Sequence, residues 1–550
     1  MSTSPERDGP NGPFDAVTLS ILWPRLLSIV DEAGTTLQRT AFSTVTRESN
    51  DFAVALMDRE GHAIAQSTIS VPSFLGVLPL LTKELLDGPF PVDRWRPGDV
   101  VLTNDPWLCA GHKPDIGVVS PLFHDGSLVG FIGTIAHSPD VGGTLWGAGA
   151  RDLYEEGLLM PPTRLYSEGE QNETLVRLIE ANVRSPRQTM GDIQAQVAAN
   201  EQGRAGVTAL MDEMDMNDLD GLSTQVRGAS EHAMRTALDE APNGTYDYTY
   251  HADGNGRGDP ITIQLALTID GDTIACDYAG TSEEQDIGIN SVLNYTYAYT
   301  AYPIKCAFSP DVPNNDGAFA PIDVTAPEGS LLNAQPPVPL GARHVTGNVL
   351  HAAVFGALAQ AVPERVQADC GAPCWSVVLN GKDEIRGEYV EYFFLNGGYG
   401  ARPTTDGPGV LSFPTNVANV PVEVLENDIP IHFHEKNLRP DSAGDGQHRG
   451  GLGQVVAFEW VGDEPVTCSL LTDKTQTRAQ GLCGGEDGAP GRISISPERP
   501  IPPKGLTTLR PGDVLTLELP GGGGYGPPEE RDDAARRHDQ KHGYVTEPPN

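Results

Sequence analysis

A hexapeptide occurs twice in this chain, as His112-Lys113-Pro114-Asp115-Ile116-Gly117 and as His137-Ser138-Pro139-Asp140-Val141-Gly142, and the segment between the copies is long enough for only one small motif. Ile116 to Phe123 has the apolar, β-branched content of a strand. His124-Asp125-Gly126-Ser127 carries the Asp-Gly turn signal, and Leu128 to Ala136 reads as a second strand. A hairpin folded symmetrically about Asp125-Gly126 pairs residues whose numbers sum to about 251, laying His112 to Asp115 opposite Ala136 to Pro139. Both copies then lie at the open end of one hairpin. Each proline suits a strand end, because it offers no N–H to the ladder.

Two imidazoles and two carboxylates gathered this way are groups that bind metals and move protons. A divalent cation such as Zn²⁺, Mn²⁺ or Fe²⁺ accepts imidazole nitrogen and carboxylate oxygen, and two His plus one carboxylate leave positions open for water or substrate. The structural alternative is a pair of strand-end turns in which Asp bonds local N–H groups and His is polar surface. Nearby acids are candidates for a base or a further ligand. Glu48 and Asp51 precede a strand, Asp105 precedes a proline as a turn former, and Glu155-Glu156-Gly157 can supply an acid. Asp51 and Asp140 rank first as groups that orient a water or shuttle its proton.

The formal charge of −38 argues against nucleic acid or an anionic membrane as partner, since both require basic patches. Lysine is scarce beside 75 Asp and Glu, a balance that suits a high-salt cytoplasm. The odd set of 7 cysteines implies no disulfide framework, and Cys370-Gly-Ala-Pro-Cys374 lacks a zinc-ribbon spacing. No signal peptide and no apolar run approaching a membrane span are visible, so a cytoplasmic location is expected.

The fold expected is multidomain α+β. Residues 1–14 read as a disordered tail and 15–216 as a mixed α/β metal-site domain. That domain opens with a helix whose Leu19, Leu22, Leu26 and Ile29 share a face, kinked at Pro24. Residues 217–244 are polar and acidic and read as a linker. A β-rich domain with helices near 288–308 and 344–361 follows over 245–527, and 528–550 reads as a charged extended tail. The glycine runs at 444–453 and 521–526 lack the Gly-Lys-Ser/Thr of a phosphate loop, which favours turns or tight backbone packing. There is no Gly-x-Ser-x-Gly elbow and no cysteine beside a histidine. Chemistry should be metal-assisted or depend on another subunit.

Many short motifs resemble, in order, those of the hydantoinase B/oxoprolinase family. They include Gly98-Asp-Val-Val-Leu-Thr-Asn-Asp-Pro106, Gly111-His-Lys-Pro-Asp115, Ala136-His-Ser-Pro-Asp-Val-Gly-Gly143, Glu156-Gly-Leu158, Asn182-x-Arg184, Asp277-Tyr-Ala-Gly-Thr-Ser282, Asp441-Ser-Ala-Gly444, Arg449-Gly-Gly-Leu-Gly453 and Pro520-Gly-Gly-Gly-Gly-Tyr-Gly526. The resemblance implies a B-type subunit whose A-type partner is an actin-like ATPase, so that ATP and Mg²⁺ bind the partner rather than this chain. The partner would phosphorylate a cyclic-amide carbonyl, or activate bicarbonate and a ketone. The pattern of the family's carboxylase branch puts the divalent ion on His112, Asp115 and His137. One departure is Phe74-Leu75-Gly76, where many relatives read His-Leu-Gly; if that His contacts substrate or metal in relatives, Phe74 implies a more apolar pocket and a different substrate. Three functions follow: a subunit of an ATP-dependent cyclic-amide hydrolase, the metal-binding subunit of a ketone carboxylase, or a non-catalytic scaffold for the ATPase.

Overall fold

The computed structural model describes residues 13–254, 260–383 and 387–546. Its first part is built on a seven-stranded sheet of β1 (Phe52–Asp58), β2 (Ala63–Gln66), β3 (Val100–Thr103), β4 (Asp115–His124), β5 (Ser127–His137), β6 (Thr163–Ser167) and β7 (Glu170–Gln171). The order is β2-β1-β5-β4-β3-β6-β7, antiparallel throughout. The hairpin expected from the sequence is β4–β5. Next to its turn His124 faces Ser127 and Phe123 faces Leu128, both sums being 251. A bulge between Leu122 and Phe123 then shifts the register by one, so that Leu122 faces Gly130 and Asp115 comes to face His137.

Each face of this sheet is covered. Phe52, Val54, Leu56 and Ile132 pack beneath the helices Ala16–Thr40 and Pro186–Glu213. The first of these buries Leu22, Leu26, Val30, Ala33 and Leu37 at helical spacing and runs on through Pro24. Ala53, Ala55, Phe131 and Ile135, on the other face, meet the helix Val77–Asp87 and side chains from the C-terminal part, among them Val378, Tyr392 and Phe394. The open end of the hairpin is therefore roofed by distant chain.

The middle of the chain forms a four-stranded sheet of β8 (Gly244–Ala252), β9 (Ile261–Asp270), β10 (Thr273–Asp277) and β11 (Ile322–Thr325), ordered β11-β10-β9-β8. Alternate residues Ile261, Ile263, Leu265, Leu267 and Ile269 are buried in the same core as the helices Leu293–Phe308 and Arg343–Leu358. The remainder is a β-sandwich. β12 (Trp375–Asp383), β13 (Gly387–Leu395), β14 (Ile431–Leu438), β15 (Gln454–Trp460), β16 (Val466–Leu471), β17 (Arg492–Ser496), β18 (Lys504–Leu509) and β19 (Val514–Glu518) make the sheets β13-β12-β16-β18 and β14-β15-β19-β17. These share a core containing Trp375, Phe393, Phe458, Leu470 and Leu515.

Two expectations are corrected. Residues 217–244 are not a linker, because Asp220–Asp239 is a helix that buries Leu222, Val226, Ser230, Met234 and Leu238, one residue in every four. Residues 528–546 do not trail away as an extended tail. Arg531 bonds Asp406 at 2.8 Å and Asp539 at 2.6 Å, and Asp539 lies on a further helix, Asp533–Lys541. Most of the expected N-terminal tail lies outside the described residues, and Phe14 already bonds Gln225 through its N–H and its carbonyl. The glycine runs do pack backbone on backbone. Gly444 N–H donates to Gly522 O, Gly522 N–H to Gly451 O and Gly398 N–H to Pro520 O, and a Cβ on Gly450 or Gly522 would strike the facing main chain.

A buried ion pair joins the middle sheet to the sandwich. Lys474 Nζ lies 2.6 Å from Asp369 Oδ1, while Tyr250 OH donates to Asp369 Oδ2 at 2.9 Å. Burial alone would raise the Asp369 carboxyl, but Lys474, helped by His351, holds it down at about 2. An acid whose folded pKa is depressed stabilises above its ordinary value and loses that contribution as pH falls through the folded one. Asp369→Asn should therefore cost about 3–5 kcal/mol, by leaving the Lys474 ammonium buried without its anion. Denaturant unfolding at neutral pH checks this, and the gap between wild type and variant should narrow as pH falls from 3.8 toward about 2.

Candidate metal centre

Strand register builds the site. Asp115 begins β4 directly opposite His137 at the end of β5, and the His137 N–H donates at 3.1 Å to the carbonyl of Asp51, just ahead of β1. Asp51, His137 and Asp115 thus form a row across three adjacent strands. Residues directly opposite in a ladder project to one side, here the side roofed by the C-terminal part. His112 enters from the turn before β4, which is tied down on both sides. Asn104 Nδ2 donates to Lys113 O at 2.8 Å, and the buried Lys113 Nζ donates at 2.6 Å to the carbonyls of Leu153 and Gly157.

His112 Nδ1 lies 2.9 Å from the carbonyl of Gly341, which can only accept, and 3.3 Å from Arg343 Nη1, which can only donate; the shorter contact favours the ring hydrogen on Nδ1. Nε2 is then a bare lone pair. It lies 3.0 Å from Asp115 Oδ1, is fully buried, and has no hydrogen-bond partner. His137 Nδ1 approaches the same Oδ1 at 2.9 Å. A lone pair facing a carboxylate oxygen without a hydrogen between them is repulsive unless a cation lies there. Donor atoms on one ion with bonds of about 2.0–2.2 Å sit roughly 3–3.5 Å apart, close to the spacing seen. Ligand atoms of His112, Asp115 and His137 all lie within 4.8 Å of one another, and these residues form a group able to hold a metal ion.

The electrostatics fit that reading. Burial, then the Arg343 guanidinium beside it, push His112 down to about 4, so the ring is a neutral ligand at physiological pH. Burial would raise Asp115, yet the Arg343 guanidinium bonded to its other oxygen holds it well below the usual carboxylate range. Arg343 bonds Asp115 Oδ2 and the Ala110 carbonyl and stacks on Tyr295 with 4.0 Å to the ring centroid. Asp51, with no such partner in contact, is lifted by burial to about 6.

Asp51, His112, Asp115 and His137 line one cavity of about 30 Å³, walled also by Trp146 and His344. Val71, Thr415 and Val417 face this cavity, and their neighbours Ser70, Pro72 and Asn416 face an outer cleft of about 300 Å³. Asp140 is not in the row. It lines a separate cavity of about 20 Å³, where Arg184 Nη1 donates to its Oδ1 at 2.6 Å and the Arg184 N–H to its Oδ2. Phe74, from the motif that departs from many relatives, is core beside Leu78 and Phe131 and does not line the site.

Several site residues lay outside the sequence reading. Arg343 and His344 open a helix that is buried along its whole length, and two ionisable residues at its start were the available signal. Trp146 donates its indole N–H to the same Gly341 carbonyl at 2.7 Å. Glu156, read only as a possible acid, holds that carbonyl in place: Oε1 accepts the N–H groups of Leu340 and Gly341, each at 2.6 Å.

The chain belongs to the hydantoinase B/oxoprolinase family, whose pattern matches residues 15–528. It is 28% identical to caprolactamase subunit beta of Pseudomonas jessenii over 97% of this chain and 94% of that one. The crystal structure of the ATP-dependent caprolactamase from that organism superposes with a TM-score of 0.88, at 26% identity, over 97% of this chain and 95% of the other. The 5-oxoprolinase 1 of Arabidopsis thaliana is 30% identical over 93% of this chain, which spans 42% of that longer protein. A nucleotide-free acetone carboxylase structure shares the fold, with a TM-score of 0.85 at 18% identity over 97% of this chain and 78% of that one.

Glu156→Ala should release the Gly341 carbonyl that fixes the His112 tautomer. Loss of such an outer partner is expected to weaken Zn²⁺ or Mn²⁺ binding roughly 10–100-fold, read by titrating the purified protein with each ion.

Proposed function

We propose that this chain is the metal-holding B-type subunit of an ATP-dependent cyclic-amide hydrolase and works with an A-type, actin-like ATPase. The observation that carries this is the buried His112 Nε2, a lone pair without a hydrogen-bond partner, 3.0 Å from a carboxylate oxygen. His112, Asp115 and His137 would hold the ion. A divalent ion held there would lower the pKa of water to near 7 and polarise a carbonyl oxygen.

The chain's own groups divide the remaining work. Asp115, kept ionised by Arg343, supplies the fixed negative charge of the site. Asp51, in the same row beside His137 and lining the same cavity, accepts the proton of the attacking water. Asp140 stays with Arg184 and holds the loop after β5. Val71, Thr415 and Val417 line the same cavity as Asp51. Amides resist attack by water, and phosphorylation of the amide oxygen in the partner makes its carbon electrophilic: water adds, Asp51 passes the proton it took to the ring nitrogen as the C–N bond breaks, and a second water hydrolyses the resulting acyl phosphate to the open-chain acid and phosphate; this chain carries no phosphate-loop motif of its own.

The likeness to a caprolactamase subunit beta supports both the hydrolase reading and a partner subunit. A 5-oxoprolinase more than twice as long as its matched part supports an additional component acting with this one. The carboxylase alternative rests on a likeness of fold at 18% identity, and bicarbonate dependence of turnover would be its signature.

In the complex purified with its ATPase, about one Zn, Mn or Fe per chain is expected by elemental mass spectrometry, disappearing in His137→Ala. Absence of metal from both samples would sink the proposal. Asp51→Asn should retain the ion while kcat for hydrolysis of a lactam or hydantoin falls about 10²–10⁴-fold.

A further inference from the structure

His344 sits in the first turn of the helix Arg343–Leu358 and lines the cavity shared by Asp51, His112, Asp115 and His137. It is 7% exposed, and neither ring nitrogen has a hydrogen-bond partner. Among the described residues no other imidazole is buried with both nitrogens unsatisfied. Burial, then the neighbouring Arg343, keep the ring neutral, so one nitrogen carries a hydrogen and the other is a bare lone pair. Folded proteins seldom leave such groups unpaired, and where they do, a water or ligand completes them.

Size and position narrow what completes this one. The cavity measures about 30 Å³, and a water takes roughly 10–15 Å³ of such space, so there is room for about two. His344 is not among the residues close enough together to share an ion, which are His112, Asp115 and His137. The indole of Trp146 packs against both sets, its ring centroid 4.8 Å from that of His137 and 5.2 Å from that of His344. Asp51, by contrast, stands in the strand row beside His137. The hydrolysis proposed above consumes two waters, and Asp51 serves the first. The second attacks an acyl phosphate, whose carbonyl carbon already carries a good leaving group, so a correctly placed water suffices without a strong base.

We propose that His344 positions the second water, its bare nitrogen accepting one hydrogen of a water whose oxygen then attacks the acyl phosphate. This rests on the hydrolase reading above and divides its two hydrolytic steps between two residues. The water oxygen bonds the acyl carbon as the bond from that carbon to the phosphate oxygen breaks. One water hydrogen leaves on the phosphate, and the other is released when the new carboxylic acid ionises. His344 keeps its own proton throughout and is a positioning residue.

The test uses the complex with the ATPase partner, ATP, and 2-pyrrolidinone, 5-oxoproline or hydantoin, whichever ring wild type opens fastest. Hydroxylamine is added as a trap, because it converts an acyl phosphate to a hydroxamate. Ring opening, phosphate release, hydroxamate yield, metal content and melting temperature are measured for wild type, His344→Phe and His344→Gln. Wild type should release phosphate in step with ring opening and give little hydroxamate. His344→Phe should keep its ion and melt no lower than wild type, since it removes unsatisfied polar atoms. Its phosphate release should fall about 10–100-fold further than its ring opening, with hydroxamate accumulating. His344→Gln, whose amide oxygen again accepts a hydrogen, should bring the two rates closer and lower the hydroxamate. A His344→Phe variant whose phosphate release keeps pace with ring opening, or that loses its ion or melts well below wild type, overturns the inference alone. So does a His344→Gln variant no better than His344→Phe. A wild type that opens none of the three rings overturns the hydrolase reading, and this inference with it.

Discussion

Asp115 has no exposed surface, and a carboxylate in that position must be offset by positive charge or by donors aimed at it. The groups around it come from well-separated parts of the chain. Arg343, at the head of a helix in the middle of the chain, supplies positive charge, while His137 from the neighbouring strand and His112 from the turn ahead of β4 set ring nitrogens beside its other oxygen. The Leu340 to Arg343 turn that brings Arg343 to Asp115 is fastened to the first part of the chain: Glu156 accepts the N–H groups of Leu340 and Gly341 while His112 and Trp146 donate to the Gly341 carbonyl. The contacts that pack the middle of the chain against its first part are the same ones that assemble the centre. A change that loosened them would leave a buried anion uncompensated.

The same arrangement separates two carboxyls that strand register places in one row. Burial is the largest influence on both and favours the neutral form. Asp115 is held ionised by the guanidinium bonded to it, whereas Asp51 feels His137 at 3.9 Å and is left near 6. Environments that drive neighbouring acids apart in pKa are how one site obtains both a fixed charge and a proton acceptor. That division matches ligand and base.

Local pattern made the β4–β5 hairpin legible. Apolar, β-branched runs about an Asp-Gly turn marked β4 and β5, and both copies of the repeated hexapeptide fell at the open end as expected. Pattern could not supply the bulge at Leu122 to Phe123. A symmetric hairpin places Asp115 opposite Ala136, and only the one-residue shift sets it against His137. The helix Asp220–Asp239 was present as a stripe at Leu222, Val226, Ser230, Met234 and Leu238, but Ser230 interrupts its apolar run and the acidic composition obscured it. Ser230 is buried because it accepts a bond from Asn315 Nδ2 at 2.7 Å, a partner 85 residues away. Arg343, His344 and Trp146 were missed for a related reason. Their roles depend on long-range packing, which no spacing along the chain encodes.

Similar sequence in the two hexapeptides did not produce similar roles, and the ladder explains why. Asp115 is the first residue of β4, so pairing with β5 fixes where its side chain points. Asp140 lies past the end of β5, where no ladder constrains it, and its carboxylate turns instead to the N–H and guanidinium of Arg184 and the N–H of Gly142. That anchors the glycine-rich segment leading to Trp146, whose ring packs 4.8 Å from His137 and 5.2 Å from His344. The first copy thus contributes its His and its Asp to the centre, and the second contributes its His while its Asp steadies the loop that brings in the indole. A repeat read from sequence marks where chemistry can gather, and the extent of the strands decides which of its side chains take part.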